Sequence, residues 1–261
     1  MGLMTRTEVT DWARSAKRLW LFLDYDGTLA DFAPTPFDVD PDPSVIGLLE
    51  QLALMPSLRI AVLSGRMLKH IRQLLPIPGL FLAGSYGLEL LTPEGDIFDR
   101  VDFSSIRPVL DTIKPKWSRL LEGRTGFFLE DKGWTLAIHA RFAAEGEAES
   151  VIGQAKKVAE TESIPEQFRI LGGHKFLELA PRLASKKEAV IYLLDKYHFP
   201  EANLLYIGDD DKDEEAFPVI HARQGIALKV LQPSQPSAPT EADYCFGAPA
   251  RVHQWLQDLL E

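Results

Sequence analysis

Leu19-Trp20-Leu21-Phe22-Leu23 runs directly into Asp24-Tyr25-Asp26-Gly27-Thr28, and this junction decides the fold. A short, unbroken apolar run followed by acidic and turn residues reads as a parallel strand buried on both faces, with a polar group at its C-terminal end. The same sentence of sequence is written again nearby. Leu58 to Leu63 ends in Ser64-Gly65-Arg66, and Leu80 to Ala83 ends in Gly84-Ser85-Tyr86-Gly87. Between the first two lies Ser44, a candidate cap for a helix with Val45, Leu48, Leu49 and Leu52 on one side. Strands alternating with helices imply an α/β protein with a doubly wound parallel sheet.

The pattern changes after about Asp99. Ser104 and Ser105 offer caps for a helix to Leu121, which Pro115 should kink or interrupt. Phe127 to Leu129 and Trp134 to Arg141 read as strands joined at Asp131-Lys132-Gly133. A helix over Glu145 to Glu162 and a second strand pair, Phe168 to Leu171 and Phe176 to Leu179, follow. This is an α+β unit inserted in the sheet domain. Alternation resumes with a helix from Ser185 to Tyr197, a strand from Leu204 to Ile207 and another from Gly225 to Val230. A proline-rich loop, Gln232 to Thr240, precedes a last helix, Pro249 to Leu260. The expected division is a core of residues 1–101 and 182–261 and an inserted α+β cap of residues 102–181, with hinges near Asp99 to Ser104 and Leu179 to Ala184.

The bulk properties narrow the partners. A net charge of −10 argues against nucleic acid, which demands a basic stripe. The short cluster Arg14-Lys17-Arg18 reads as a solvated helix face. No apolar run approaches the length of a membrane span, and Met1 to Lys17 lacks the apolar core of a secretory signal. The single cysteine, Cys245, excludes an internal disulfide framework. The expectation is a cytoplasmic, monomeric enzyme acting on a small molecule.

Ligands of open α/β sheets bind beyond the carboxyl ends of the strands. Here those ends carry Asp24 with Asp26, Ser64, and Asp209 with Asp210. Gathering carboxylates costs heavily in repulsion unless a cation neutralises them, and an all-oxygen donor set selects a hard ion such as Mg²⁺. The candidate metal residues are Asp24, Asp26, Asp209, Asp210 and Asp213. Asp213 reads equally as an outer partner of the metal or as the cap of its own helix, while Asp211 should face solvent.

Asp24-Tyr25-Asp26-Gly27-Thr28-Leu29 after a hydrophobic strand resembles the first motif of the haloacid dehalogenase superfamily. Ser64, a lysine opening a later helix, and Gly208-Asp209-Asp210 with Asp213 resemble its remaining motifs, in order. The resemblance implies that Asp24 is a nucleophile forming an aspartyl-phosphate and that Asp26 is the acid and base. It also implies that Ser64, Gly65 and Lys186 hold phosphate, although adjacent Lys187 competes with Lys186 for that role. Within the superfamily, Glu130-Asp131-Lys132-Gly133-Trp134, His139 and Arg141, and Lys175 with Glu178, are similar to the cap motifs of trehalose-6-phosphate phosphatases. That likeness implies Arg66, Glu130, Lys132, His139, Arg141, Lys175 and Glu178 as substrate-binding residues and a sugar phosphate as substrate. His139 reads equally as a half-buried strand residue. Two departures stand out: Tyr86 where the family usually carries histidine, and Lys187-Glu188 where it usually carries Gly after the lysine. Phosphatases of other sugar phosphates or of glycosyl-3-phosphoglycerate, and a phosphomannomutase-like phosphomutase, share this core and cap type. A non-catalytic sugar-phosphate binding module is a further alternative, but binding alone would not require Asp24, Asp26, Lys186 and Asp209 together.

Overall fold

The computed structural model describes residues 3–32, 39–162, 166–232 and 239–261. In chain order the elements are α1 (Arg6–Arg14), β1 (Arg18–Asp24), α2 (Pro43–Ala53), β2 (Leu58–Leu63), α3 (Leu68–Leu74), β3 (Phe81–Gly84), β4 (Glu89–Leu91) and β5 (Ile97–Asp99). Then come α4 (Phe103–Leu121), β6 (Phe128–Asp131), β7 (Leu136–His139), α5 (Glu145–Glu162), β8 (Phe168–Gly173) and β9 (Phe176–Pro181). The chain closes with α6 (Lys186–Lys196), β10 (Ala202–Gly208), α7 (Asp211–Glu214), α8 (Phe217–His221), β11 (Ile226–Val230), β12 (Tyr244–Phe246) and α9 (Pro249–Asp258). It divides into two compact units, Met1–Phe98 with Ser185–Glu261, and Asp99–Ala184.

The first unit is built on an eight-stranded sheet ordered β12-β11-β10-β1-β2-β3-β4-β5. β1 is central and parallel to both neighbours, with Leu23 level with Ile207 of β10 and Asp24 level with Leu63 of β2. Its apolar run is unbroken because both faces are covered. Leu19, Leu21 and Leu23 pack with Val9, Leu49, Ile71 and Trp255, while Trp20 and Phe22 pack with Val190, Leu193 and Phe217. Strand alternation therefore feeds two cores from one strand. The ladder turns antiparallel at β3 and β4, a reversal that the short run Glu89–Leu91 did not announce. Of the proline-rich loop expected over Gln232 to Thr240, residues 233–238 lie outside the described residues.

The second unit carries a four-stranded antiparallel sheet ordered β6-β7-β9-β8. One face, with Leu136, Ile138, Leu177, Leu179 and Phe168, packs on Ile106, Leu110, Ile113 and Trp117 of α4 and Ala155 and Ala159 of α5. The other face carries the residues that alternate with these, including Glu130, His139 and Glu178.

Several local readings need correction. Pro115 does not interrupt α4, which runs through both Pro108 and Pro115. Both prolines are on the exposed side, so the carbonyls they leave without a helical donor, on Ser104 and Asp111, lie toward solvent. The caps also sit two residues earlier than Ser44 and Ser104. Asp42 and Asp102 take those amides at 2.8 and 3.0 Å, because a carboxylate already stood at the non-helical position before each first turn. The β6–β7 hairpin is shifted and shorter than read, closing with the Lys132 amide donating to the Thr135 carbonyl at 3.0 Å.

Candidate active site

Asp24, Asp209 and Asp213 are brought together by β1, β10 and the first turn of α7: one carboxylate oxygen of each lies within 4.8 Å of the others. All three are buried. Gly27 makes the approach feasible. Its φ of +87° is a left-handed conformation that favours glycine, and a Cβ there would collide with the Asp209 carboxylate. Gly208 is required for a similar reason, since a Cβ on it would strike the Asp213 carboxylate.

Of the two candidate lysines, Lys186 is buried and Lys187 is exposed. Ser185 caps α6, accepting from the Glu188 amide, and this fixes the helix start so that Lys186 turns inward. Its Nζ donates to Asp24 Oδ1 at 2.6 Å and to Asp213 Oδ1 at 2.7 Å. Asp213 is saturated with donors: Oδ1 also accepts from the Tyr206 hydroxyl at 2.6 Å, and Oδ2 from the amides of Asp209 and Asp210 at 3.1 and 3.2 Å. Asp24 Oδ2 and Asp209 Oδ2 are different: each is buried and accepts no hydrogen bond among the described residues. Orphaned carboxylate oxygens inside a protein are costly unless something of opposite charge meets them. Two such oxygens facing one cluster are a donor set that fits Mg²⁺.

The electrostatics agree with that fit. Burial, opposed by Lys186, pushes Asp24 up to about 6. Burial, and then repulsion from Asp24, Asp210 and Asp213, pushes Asp209 up to about 10. Burial raises Asp213 as well, against the pull of Lys186. Lys186 goes the other way: burial would lower it, but Asp213 and Asp24 hold it well above an ordinary lysine.

Asp26 and Asp210 lie outside this cluster. Asp26 is forked by Arg66, whose Nε and Nη2 donate to its two oxygens at 2.7 and 2.6 Å. Asp210, rather than Asp213, is the cap of α7, and Asp213 is the reciprocal member of that capping box. Its carboxylate also pairs with Lys212 at 3.1 Å, while Asp211 is exposed. Burial would raise Asp210, but Lys186 and Lys212 hold it below the usual carboxylate range. Ser64 ends β2, buried, and its hydroxyl accepts from the Arg66 amide at 3.1 Å. Gly65 lies against the ring of Tyr86, itself buried and left-handed at φ +57°.

In the second unit, Glu130, Lys132, His139 and Glu178 meet on the helix-free face of the sheet. Glu130 and Glu178 flank Ala137 in one cross-strand row. Lys132 Nζ donates to Glu178 Oε1 at 3.0 Å and lies 3.9 Å from Glu130 Oε2, which takes His139 Nε2 at 2.9 Å. Phe128 and Phe176 lie on either side of His139, with ring centroids at 5.9 and 5.2 Å. Lys175 is not drawn to Glu178. It sits on the β8–β9 turn at φ +54°, its Nζ donating to the Ala143 carbonyl at 2.8 Å and pairing with Glu145 at 3.0 Å. Arg141 is exposed beyond the end of β7.

Three participants were missed from sequence. Tyr206 sits within an apolar strand and gave no signal. Thr135, whose hydroxyl reaches Glu178 Oε1 at 2.5 Å, needed the hairpin register to be found. So did Arg169, level with Ala180 on the same face as Glu178.

A doubly wound sheet that delivers an aspartate cluster and one shared lysine to its strand ends is an α/β architecture of the haloacid dehalogenase type. The chain belongs to the trehalose-phosphatase family, whose model matches residues 22–248. The trehalose-phosphate phosphatase of Mycobacterium tuberculosis is 30% identical over 250 residues, covering 94% of this chain and 62% of that protein. That of Mycobacterium marinum is 29% identical over 241 residues, with 90% and 60% covered. The chain thus spans about three fifths of the curated relatives it matches. In fold it resembles the C-terminal domain of C. albicans trehalose-6-phosphate phosphatase (TM-score 0.84, 19% identity, 99% and 97% of the two chains covered). Aspergillus fumigatus trehalose-6-phosphate phosphatase is also similar (TM-score 0.70, 24% identity, 100% and 98% covered). Among the described residues no helix is long and apolar enough to cross a membrane.

Proposed function

We propose that this protein hydrolyses trehalose 6-phosphate to trehalose and inorganic phosphate through an aspartyl-phosphate on Asp24. The observation that carries this reading is the asymmetry of Asp24: Oδ1 is held by Lys186, while Oδ2 is buried and accepts nothing among the described residues. One oxygen is anchored and the other is open, so the two oxygens of this carboxylate can divide between phosphorus and the metal. Asp24 and Asp209, supported by Asp213 and Asp210, would hold Mg²⁺, which when bound supplies positive charge against the phosphoryl oxygens. Asp26 contributes through its side chain to proton transfer rather than to this donor set.

In the first half-reaction an Asp24 oxygen bonds to phosphorus as the bond to the sugar oxygen breaks, and Asp26 passes a proton to that oxygen. In the second, water attacks phosphorus, Asp26 takes its proton, and the bond to Asp24 breaks. Asp26 must exchange the Arg66 fork for a proton to begin. Lys186 and the Ser64 hydroxyl supply charge and hydrogen bonding to the phosphate. Glu130, Lys132, His139 and Glu178 read the sugar hydroxyls, with Arg66, Arg141 and Lys175 as further substrate-binding residues. Carboxylates accept from hydroxyls while the ammonium donates to them. The enzyme is read as a cytoplasmic monomer with no nucleic-acid or membrane partner; the net charge of −10 speaks against nucleic acid and the lone cysteine fits a reducing compartment.

The test is phosphate release across a panel of sugar phosphates with Mg²⁺ present. Trehalose 6-phosphate should be preferred at least about tenfold in kcat/KM, a margin of ~1.4 kcal/mol. A tenfold preference for another member, or isomerised product without phosphate release, would sink the assignment.

A further inference from the structure

The polar face of the four-stranded sheet is held in place from behind. Asp131 lies between Glu130 and Lys132, so strand alternation turns its side chain toward the helices while its neighbours face the other way. There it meets α4. Arg107 Nη1 and Nη2 donate to Asp131 Oδ1 and Oδ2, each at 2.8 Å, and Lys114 Nζ donates to Oδ2 at 2.7 Å. The Gly133 amide donates to Oδ1 at 2.9 Å, closing the turn around the carboxylate. Arg107 Nη1 also reaches the Gly133 carbonyl at 3.3 Å, and Phe103 meets Trp134 edge to face at 4.8 Å. The hairpin tip is therefore bolted to one side of α4 through Phe103, Arg107 and Lys114. Hydrogen bonds from Arg107 hold Asp131 well below the usual carboxylate range.

We infer that Arg107, acting through Asp131, is a positioning residue for Glu130 and Lys132, and so a determinant of sugar specificity that touches no substrate. A guanidinium fork on a carboxylate fixes a plane as well as a point. With that plane set, Glu130 meets His139, and Lys132 meets Glu178, from opposite sides of a single anchored residue. The reach of a lysine side chain is long, and its rotamer freedom is correspondingly costly to restrict. Fixing the backbone at the root of Lys132 is the economical place to restrict it. This inference rests on the sugar-reading role proposed above for that face.

The experiment compares Arg107→Met, Arg107→Lys and Asp131→Asn in the full chain, using trehalose 6-phosphate and a small aryl phosphate. Arg107→Met should raise KM for the sugar phosphate roughly tenfold with kcat little changed, and leave kcat/KM for the aryl phosphate within about twofold. Arg107→Lys keeps charge but loses the fork, so it should recover part of the loss; Asp131→Asn should resemble Arg107→Met. In a Lys132→Ala background the added effect of Arg107→Met should be clearly smaller, because one of the two residues it positions is gone. Equal losses on both substrates, full additivity with Lys132→Ala, or an unchanged KM would overturn the inference. A wild-type enzyme indifferent to the sugar overturns the proposed function instead. A selective wild type whose Arg107 variants remain equally selective overturns this inference alone.

Discussion

The two polar clusters of this molecule are built on opposite principles. At the strand ends of the parallel sheet, Asp24 and Asp213 share the buried Lys186 with Asp209 close by, and two carboxylate oxygens are left unmet among the described residues. On the antiparallel sheet, Glu130 and Glu178 are matched by Lys132, His139 and Thr135, each at hydrogen-bond distance from one of the carboxylates. The first carries an excess of negative charge and calls for a cation. In the second, both carboxylates are already met by hydrogen-bonding side chains, bonds of a kind that sugar hydroxyls can replace. The two clusters thus differ in whether their carboxylates are met, as well as in place in the chain.

The comparison is broken most severely at the nucleophile. Asp24→Asn should reduce turnover at least about a thousandfold with the circular dichroism spectrum unchanged; retention of more than a few per cent activity would contradict a nucleophilic role. Lys186→Met should follow closely. Removing one partner of a buried pair leaves uncompensated charge, so urea unfolding should show a loss of about 3–5 kcal/mol. Next come Glu130→Ala and Lys132→Ala, which should lower kcat/KM for the sugar phosphate about 10–100-fold and largely spare a small aryl phosphate. Equal losses on both substrates would mean that these residues only maintain their sheet.

Stability sharpens the contrast further. With EDTA present, Asp209→Asn should melt a few degrees higher than wild type, having shed about 1 kcal/mol of repulsion, while losing the response to Mg²⁺. Glu178→Gln should melt lower, by about 1–3 kcal/mol, because it removes the carboxylate that Lys132 and Thr135 share. Destabilisation by both would show that unmet and met carboxylates do not distinguish the clusters. The smallest effect concerns pH. Asp131 is depressed in the fold from its reference value of 3.8, so its stabilisation is full above that value and is lost as pH falls below it. Melting temperature should therefore drop more steeply between about pH 4 and 2 in wild type than in Asp131→Asn; parallel curves would remove Asp131 from the account.

What could be read in advance follows from the range of the interaction. β1 was legible because an apolar strand buried on both faces has a sequence of its own, and Asp24 because it interrupts that run. Lys186 was legible as one of two candidates, and Ser185 decided between them by capping its helix. The Asp26–Arg66 fork was not foreseen, since it joins residues from two different strand ends whose angular relation no pattern encodes. The saturation of Asp213 was equally hidden: Tyr206 reads as one more apolar residue until the strand is placed. Pro115 misled because the cost of a proline in a helix depends on which side its missing bond faces. In the inserted unit, period-two alternation foretold strands, but Lys175 was read with Glu178 when its ammonium turns instead to the start of α5.

The position of the insert in the chain has a consequence for how the protein comes into being. β1, which bears Asp24, finds its partner β10 only after the whole of the Asp99–Ala184 unit has been made. The inserted sheet and its two helices close mostly over shorter loops and can fold while that partner is still missing. A ribosome-bound chain stopped before Lys186 would therefore display a finished recognition sheet beside an incomplete main sheet. Its apolar β1 edge would stand open, and neither Lys186 nor Asp209 would exist. The acidic cluster can form only once Asp209 and Asp213 have been made, after the inserted unit is complete. Premature termination should accordingly yield aggregation at β1 rather than a partly active enzyme.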